Sequence, residues 1–278
     1  MPMAVLQSGK IKNIMKETYM KSQKVILVTI DGMRSDAFLT CGHPILQSIF
    51  QNASYTTDGS SVFPPVTLPA HLSIFYSVPP QRHGTLTNDY VAPVRPFDGL
   101  FEQIHHAHKT SAMFTGWEPL REVSRPGLLT FSEYAWAYSM ESSDTYLTDR
   151  ALVCIKEHKP DFLFLHLVET DEKGGHDNGW MSEKYLERLR IALDNLQRIL
   201  DACKEEYTVI VSADHGGHDR MHGIDIPEDM VIPMFFFGKA FEAGRELHGL
   251  SLLDLSPTIA KLMGMPAVRE WEGKCILD

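Results

Sequence analysis

Apolar residues in this chain gather into short unbroken runs. Val25-Ile26-Leu27-Val28-Thr29-Ile30, Phe162 to Val168 and Val209-Ile210-Val211 are each about one strand long. A run that is apolar on both faces predicts a buried strand of a largely parallel sheet. Further strands are predicted at 55–62, as an edge, and at 110–115 and 231–237. Between these runs the spacing becomes helical. The clearest case is 181–204, where Tyr185, Leu186, Leu189, Leu193, Leu196 and Leu200 make one apolar stripe. Helices are also predicted at 43–52 behind Pro44, from Pro69 to about Ser77, at 97–108, at 144–158, and at 252–263 ahead of Gly264. Residues 79–96 and 116–143 read as loops. Strand alternating with helix predicts an α/β fold, a three-layer sandwich with a largely parallel central sheet. Residues 1–22 read as an N-terminal arm and 23–278 as a single domain.

The apolar runs end in chemistry. Asp31 closes the first, Asp171 and His176 follow the second, and Asp214-His215 follow the third. Ligands in such sheets sit beyond the carboxyl ends of the strands, so distant segments converge on one metal site. Each residue also has an ordinary reading. Asp31 suits a cap for the segment near Ser35, and Asp214 suits a turn. His176 and His222 suit surface loops, and with 13 histidines in the chain chance clustering counts. Asp214-His215-Gly216-Gly217 is the stronger signal, two ligand types on one tight turn. Thr67 precedes Pro69, which fits a first helical turn. That position offers backbone N–H groups to an anion, and a metal can make a threonine hydroxyl a competent nucleophile.

Composition narrows the partners. The 278 residues are 44% hydrophobic with a formal charge of −10. This suits one large α/β domain or two small ones and argues against a nucleic-acid polymer as ligand. A small anion remains compatible, because bound divalent cations reverse the local sign. No apolar stretch approaches the roughly 20 residues needed to span a bilayer, and the first 22 residues lack a signal-peptide core. The expectation is a cytoplasmic protein with no membrane partner and four reduced, packed cysteines (Cys41, Cys154, Cys203, Cys275).

Taken in order, the motifs resemble the alkaline phosphatase superfamily and, within it, the type I phosphodiesterase / nucleotide pyrophosphatase family. They are Val28-Thr29-Ile30-Asp31-Gly32-Met33-Arg34, Phe63-Pro64-Pro65-Val66-Thr67-Leu68-Pro69-Ala70-His71, and Pro79 through Asn88. They continue with Asp171 to His176, Ser212-Ala213-Asp214-His215-Gly216, His222-Gly223 and Leu253 to Thr258. The likeness runs from about Lys24 to Leu277. It implies a hydrolase with two divalent ions, Zn²⁺ or alternatively Mn²⁺. One ion would sit on Asp31, Thr67, Asp214 and His215, the other on Asp171, His176 and His222. Thr67 would be the nucleophile, forming a phosphothreonine, and the Asn88 amide would bind a phosphoryl oxygen. The implied substrate is a small phosphate ester, with a nucleotide as candidate. The aromatic residues Trp117, Phe131, Tyr134, Trp136 and Tyr138 either line a pocket for a flat leaving group or simply pack a loop.

Two departures stand out. The family commonly spaces this Asp and His four apart, whereas Asp171 and His176 are five apart. Glu172 is therefore a rival ligand, with Asp171 favoured. Ala70 stands where many relatives carry Asn. A phosphomonoesterase on the same scaffold is the nearest rival activity. A sulfatase would need Cys or Ser in a Cys/Ser-x-Pro-x-Arg context, and a phosphomutase a large cap domain; neither is evident. A non-catalytic metal-binding protein is the rival from another class. His218 has no assigned role, and the oligomeric state is not legible.

Overall fold

A computed structural model describes residues 22–203 and 205–277. The expected arm at 1–22 therefore lies, but for Ser22, outside the described residues.

Seven strands form one sheet in the order β2-β7-β6-β1-β5-β3-β4. They are β1 (Lys24–Ile30), β2 (Ser54–Ser60), β3 (Ser111–Thr115), β4 (Phe131–Tyr134), β5 (Phe162–Leu167), β6 (Tyr207–Ser212) and β7 (Val231–Phe237). The pairs β1–β5, β1–β6, β3–β5 and β3–β4 are parallel, and β6–β7 and β2–β7 are antiparallel. The apolar runs explain the centre: every residue of β5 and β6, and all of β1 after Lys24, is buried. The sheet is the expected α/β core, mostly parallel, with helices on its two faces.

The principal helices are α1 (Ser35–Thr40), α2 (Ile45–Asn52), α3 (Thr67–Tyr76), α4 (Leu100–His106), α5 (Ser143–His158), α6 (Glu183–Cys203) and α7 (Leu255–Leu262). α3 is buried along its whole length, which accounts for its lack of a polar stripe. It packs with α4 and α7, while α5 packs with α6. α6 buries the predicted stripe, including Tyr185, Leu189, Leu193, Leu196 and Leu200. None of the helices among the described residues is long and apolar enough to cross a membrane.

Several local expectations change, including short helical turns at Pro80–His83, Glu118–Val123 and Ala137–Ser139 inside the stretches read as loops. Phe131–Tyr134 is a strand inside the stretch read as loop, paired with β3 at the sheet edge. The closing helix begins as a 3₁₀ turn at Leu252–Asp254, where Asp254 Oδ2 accepts from Ser251 N at 2.8 Å. Most consequentially, Thr170–His176 is a π-helical turn rather than an open loop.

Candidate active site

The three strands whose ends carry acids are neighbours, β5, β1 and β6. Asp31 follows β1 directly, its N–H on Leu167 O at 2.9 Å. Asp214 and His215 follow β6, and Gly32 N donates to Asp214 Oδ1 at 3.2 Å. That bond ties the two turns together. Gly32 has φ +66°, and a Cβ there would lie 2.9 Å from Asp171 Oδ1. The turn thus needs glycine both for its left-handed backbone and for the approach of the third acid.

The π turn explains the odd spacing. A π-helix bonds i to i+5, so one extra residue is absorbed while the flanking side chains stay on one face. Asp177 N reaches Glu172 O in this way. Asp171 Oδ2 then lies 3.4 Å from His176 Nε2, and Asp171 Oδ1 lies 3.8 Å from His222 Nε2. Glu172 turns elsewhere: Tyr138 Oη lies 3.5 Å from its Oε2. Asp171→Asn is accordingly expected to remove one bound ion and cut activity at least 100-fold. Glu172→Gln should change both by less than about threefold. Metal content by mass spectrometry, read with turnover, decides; the reverse pattern would make Glu172 the ligand.

His215 Nε2 is the centre of the other group. It lies 3.2 Å from Thr67 Oγ1, 3.3 Å from Asp31 Oδ1 and 3.3 Å from Asp214 Oδ2. The two groups, Asp31–Asp214–His215 and Asp171–His215–His222, each have ligand atoms within 4.8 Å of one another. His215 and His222 stack at 3.8 Å between ring centroids, so the groups abut.

Backbone carbonyls set the tautomers. His215 Nδ1 meets Gly216 O at 2.7 Å, His222 Nδ1 meets Pro65 O at 2.9 Å, and His176 Nδ1 meets Arg220 O at 3.0 Å. A carbonyl oxygen only accepts, so each Nδ1 carries a proton, and in the neutral ring the lone pair falls on Nε2. All three Nε2 atoms belong to the carboxylate cluster. Burial pushes His222 down to about 3, with His215 next as cause, so its ring stays neutral.

The carboxylates have too few donors. Asp31 Oδ1, Asp171 Oδ1 and Asp214 Oδ2 are buried without a hydrogen-bond partner. Burial pushes the Asp31 and Asp171 carboxyls well above the usual range, with repulsion from Asp214 the next cause for both. Burial acts on Asp214 in the same direction, but His215, His71 and His166 and the Gly32 N–H outweigh it and hold this group low. Three converging carboxylates and three imidazole lone pairs fit divalent cations and little else.

Thr67 is the first residue of α3 and is 5% exposed. Asn88 lies on the exposed loop, and its Oδ1 accepts from Leu68 N at 3.1 Å. The carboxamide thus caps the helix beside Thr67, and its Nδ2 has no partner among the described residues.

Several residues escaped the sequence reading. His166, inside the apolar run of β5, donates to Asp31 Oδ2 at 2.9 Å. His71 Nδ1 meets Thr67 O at 2.8 Å, one helical turn away. Trp180 Nε1 donates to Gly32 O at 2.9 Å, and its ring edges His176 at 5.3 Å. Behind the π turn, Asp144 accepts from Val168 N and Glu169 N, while Glu169 pairs with Lys173 and Arg188. His218, without a role from sequence, pairs with buried Asp229 at 2.7 Å, whose other oxygen holds Gly223 N and Ile224 N beside His222.

Known proteins match this chain in sequence over parts of its length and in fold. The metalloenzyme superfamily matches residues 129–267, half of the chain, and type I phosphodiesterase / nucleotide pyrophosphatase matches residues 25–125. Phosphopentomutase of Desulfitobacterium hafniense is 33% identical over 118 residues, 42% of this chain and 29% of that protein. Ectonucleotide pyrophosphatase/phosphodiesterase family member 1 of Homo sapiens is 23% identical over 217 residues, 69% of this chain and 23% of that protein. The chain thus spans less than a third of the length of these curated relatives. Murine ectonucleotide pyrophosphatase / phosphodiesterase 5, solved in an inactive form in complex with AMP, has the same fold. It superposes with TM-score 0.74 at 16% identity, covering 89% of this chain and 96% of that one.

Proposed function

The chain belongs to the metalloenzyme superfamily, the alkaline-phosphatase-like phosphoryl-transfer enzymes its motifs resemble, and from that premise we propose that it is a two-metal phosphodiesterase / nucleotide pyrophosphatase acting through a phosphothreonine on Thr67. One observation supports this above the others. Thr67 Oγ1, at a helix N-terminus, stands 3.2 Å from an imidazole nitrogen that two buried carboxylates also approach.

Two divalent cations, Zn²⁺ by the mixed donor set with Mn²⁺ as the alternative, would be held by Asp31, Thr67, Asp214 and His215 and by Asp171, His176 and His222, supplying Lewis acidity and a lowered hydroxyl pKa. Thr67 Oγ1 gives up its proton to solvent and attacks phosphorus in line; its bond to phosphorus forms as the bond to the leaving oxygen breaks. The leaving group takes a proton from solvent. Water then attacks the phosphothreonine, and Thr67 recovers its hydroxyl. The Asn88 Nδ2 donors and the Thr67 N–H hold the phosphoryl oxygens through both steps.

A flat leaving group has support at the rim. Trp136 and Tyr138 are exposed, with ring centroids 5.6 Å apart. Tyr138 Oη donates to Glu172 O at 3.2 Å, and Asp177 Oδ2 also lies 3.2 Å away, which holds the pair beside the π turn. With the AMP bound to the murine phosphodiesterase, this favours a nucleotide.

The test compares bis(p-nitrophenyl) phosphate with p-nitrophenyl phosphate on metal-loaded protein. A kcat/KM at least about tenfold higher for the diester is expected, a difference of about 1.4 kcal/mol in barrier. Preference for the monoester would instead make the protein a phosphomonoesterase. No turnover of either ester, or of dinucleotides, would leave a metal-binding protein without this chemistry.

A further inference from the structure

We propose that His166 is a positioning residue that aims Asp31 at the nucleophile's cation, a role resting on the two-metal reading above. His166 lies on β5 opposite Thr29 of β1, two residues before Asp31. It is fully buried, as is its ring neighbour His71, 5.0 Å away and edge-on. Its Nε2 meets Asp31 Oδ2 at 2.9 Å, while its Nδ1 has no partner. An ionised carboxylate only accepts, so the imidazole places its single N–H on Asp31 and leaves the other nitrogen bare.

That arrangement is costly for packing alone. A buried nitrogen without a partner is destabilising, and phenylalanine or leucine at 166 would avoid that penalty. What the imidazole supplies is direction. With Oδ2 held, Oδ1 becomes the oxygen that faces His215 Nε2 at 3.3 Å, and it is the atom left without a donor. A neutral donor suits the task. It fixes the carboxylate without neutralising it, whereas a Lys or Arg there would compete with the cation. Among the described residues no hydrogen-bond donor holds Asp171 in this way; its carboxylate faces His176 at 3.4 Å and His222 at 3.8 Å. The two cation sites should therefore respond differently to loss of His166.

The experiment measures Zn²⁺ affinity at both sites by chelator competition, with turnover recorded in parallel. Wild type should take up two ions. His166→Phe, similar in shape but without a donor, should weaken one site about 10–100-fold and leave the other within about threefold. His166→Gln, whose amide nitrogen reaches the Nε2 position, should restore affinity and kcat to within about threefold of wild type. His166→Asn, polar but too short, should behave like Phe; this pair decides the matter if His166→Phe does not fold. His166→Phe with wild-type affinity at both sites, or equal losses at both, overturns the proposal. So does His166→Gln as impaired as His166→Asn, since the site would then need only the ring's shape. A wild-type chain that binds no ion would sink the two-metal reading itself, and this inference with it.

Discussion

Thr67→Ala is expected to stop turnover while leaving the fold in place, with Asp31, Asp214 and His215 still available to hold the first ion when metal is supplied. The substitution removes the atom that attacks phosphorus, so catalysis by the covalent route ends. A loss on the order of 10³–10⁶-fold is expected, since deleting a nucleophile costs at least as much as deleting an oxyanion donor. The lower bound corresponds to about 4 kcal/mol of barrier. Folding should hardly change. Among the described residues Thr67 Oγ1 has one hydrogen-bond partner, His215 Nε2 at 3.2 Å, and α3 is anchored by buried apolar residues from Leu68 to Tyr76. Thr67→Ser keeps the hydroxyl and should retain measurable turnover. Acid quenching of the working enzyme should trap a phosphoryl adduct on the peptide containing Thr67, absent from the Ala variant. Near-wild-type turnover by a metal-loaded Thr67→Ala chain would exclude Thr67 as nucleophile.

How much of this was legible in the sequence follows from where the physics is local. Strands β1, β5 and β6 announce themselves because both faces are buried, so their residues are almost all apolar, and the acids after them mark the strand ends. Strand β4 does not. Phe131–Tyr134 alternates half-buried with exposed residues on a sheet edge, and four residues carry too little periodicity to separate strand from loop. The π turn is invisible to a search for 3.6-residue spacing, although its cause, one residue too many between Asp171 and His176, was in plain view. His166 is the opposite case. Its place inside an apolar run made it read as filler, yet a histidine fully buried in a central strand needs a partner, and here the partner is a candidate ligand. Trp180 and Asp229 left no signal, because their roles rest on contacts with backbone groups brought close only by the fold.

Removing divalent ions is expected to destabilise the protein, and more so as pH rises. In the metal-free chain burial, and after it repulsion from Asp214, push the Asp31 and Asp171 carboxyls above their unfolded values. The folded state then holds protons that the unfolded chain has already released. Stability is fully present below the ordinary carboxylate range and is lost as pH climbs through the raised values, by up to about 1.4 kcal/mol per pH unit for each such proton. Cations invert the trend. They bind ionised carboxylates and bare imidazole nitrogens, so protons compete with them and the stabilisation grows with pH. At a thousandfold excess over Kd each ion contributes about 4 kcal/mol. Thermal unfolding with Zn²⁺ and with chelator, from pH 5 to pH 8, should therefore give two Tm curves that diverge. Burial holds His71, His83, His166 and His222 below the ordinary histidine range, so they add a rise with pH to both curves up to about pH 7. The carboxyl contribution is therefore read as a difference: Asp31→Asn combined with Asp171→Asn should make the chelator curve climb more steeply than that of wild type, because it removes the charges that repel. Equal slopes for the two metal-free chains would mean that the carboxylates are compensated by the protein alone, and the case for cations between them would fail.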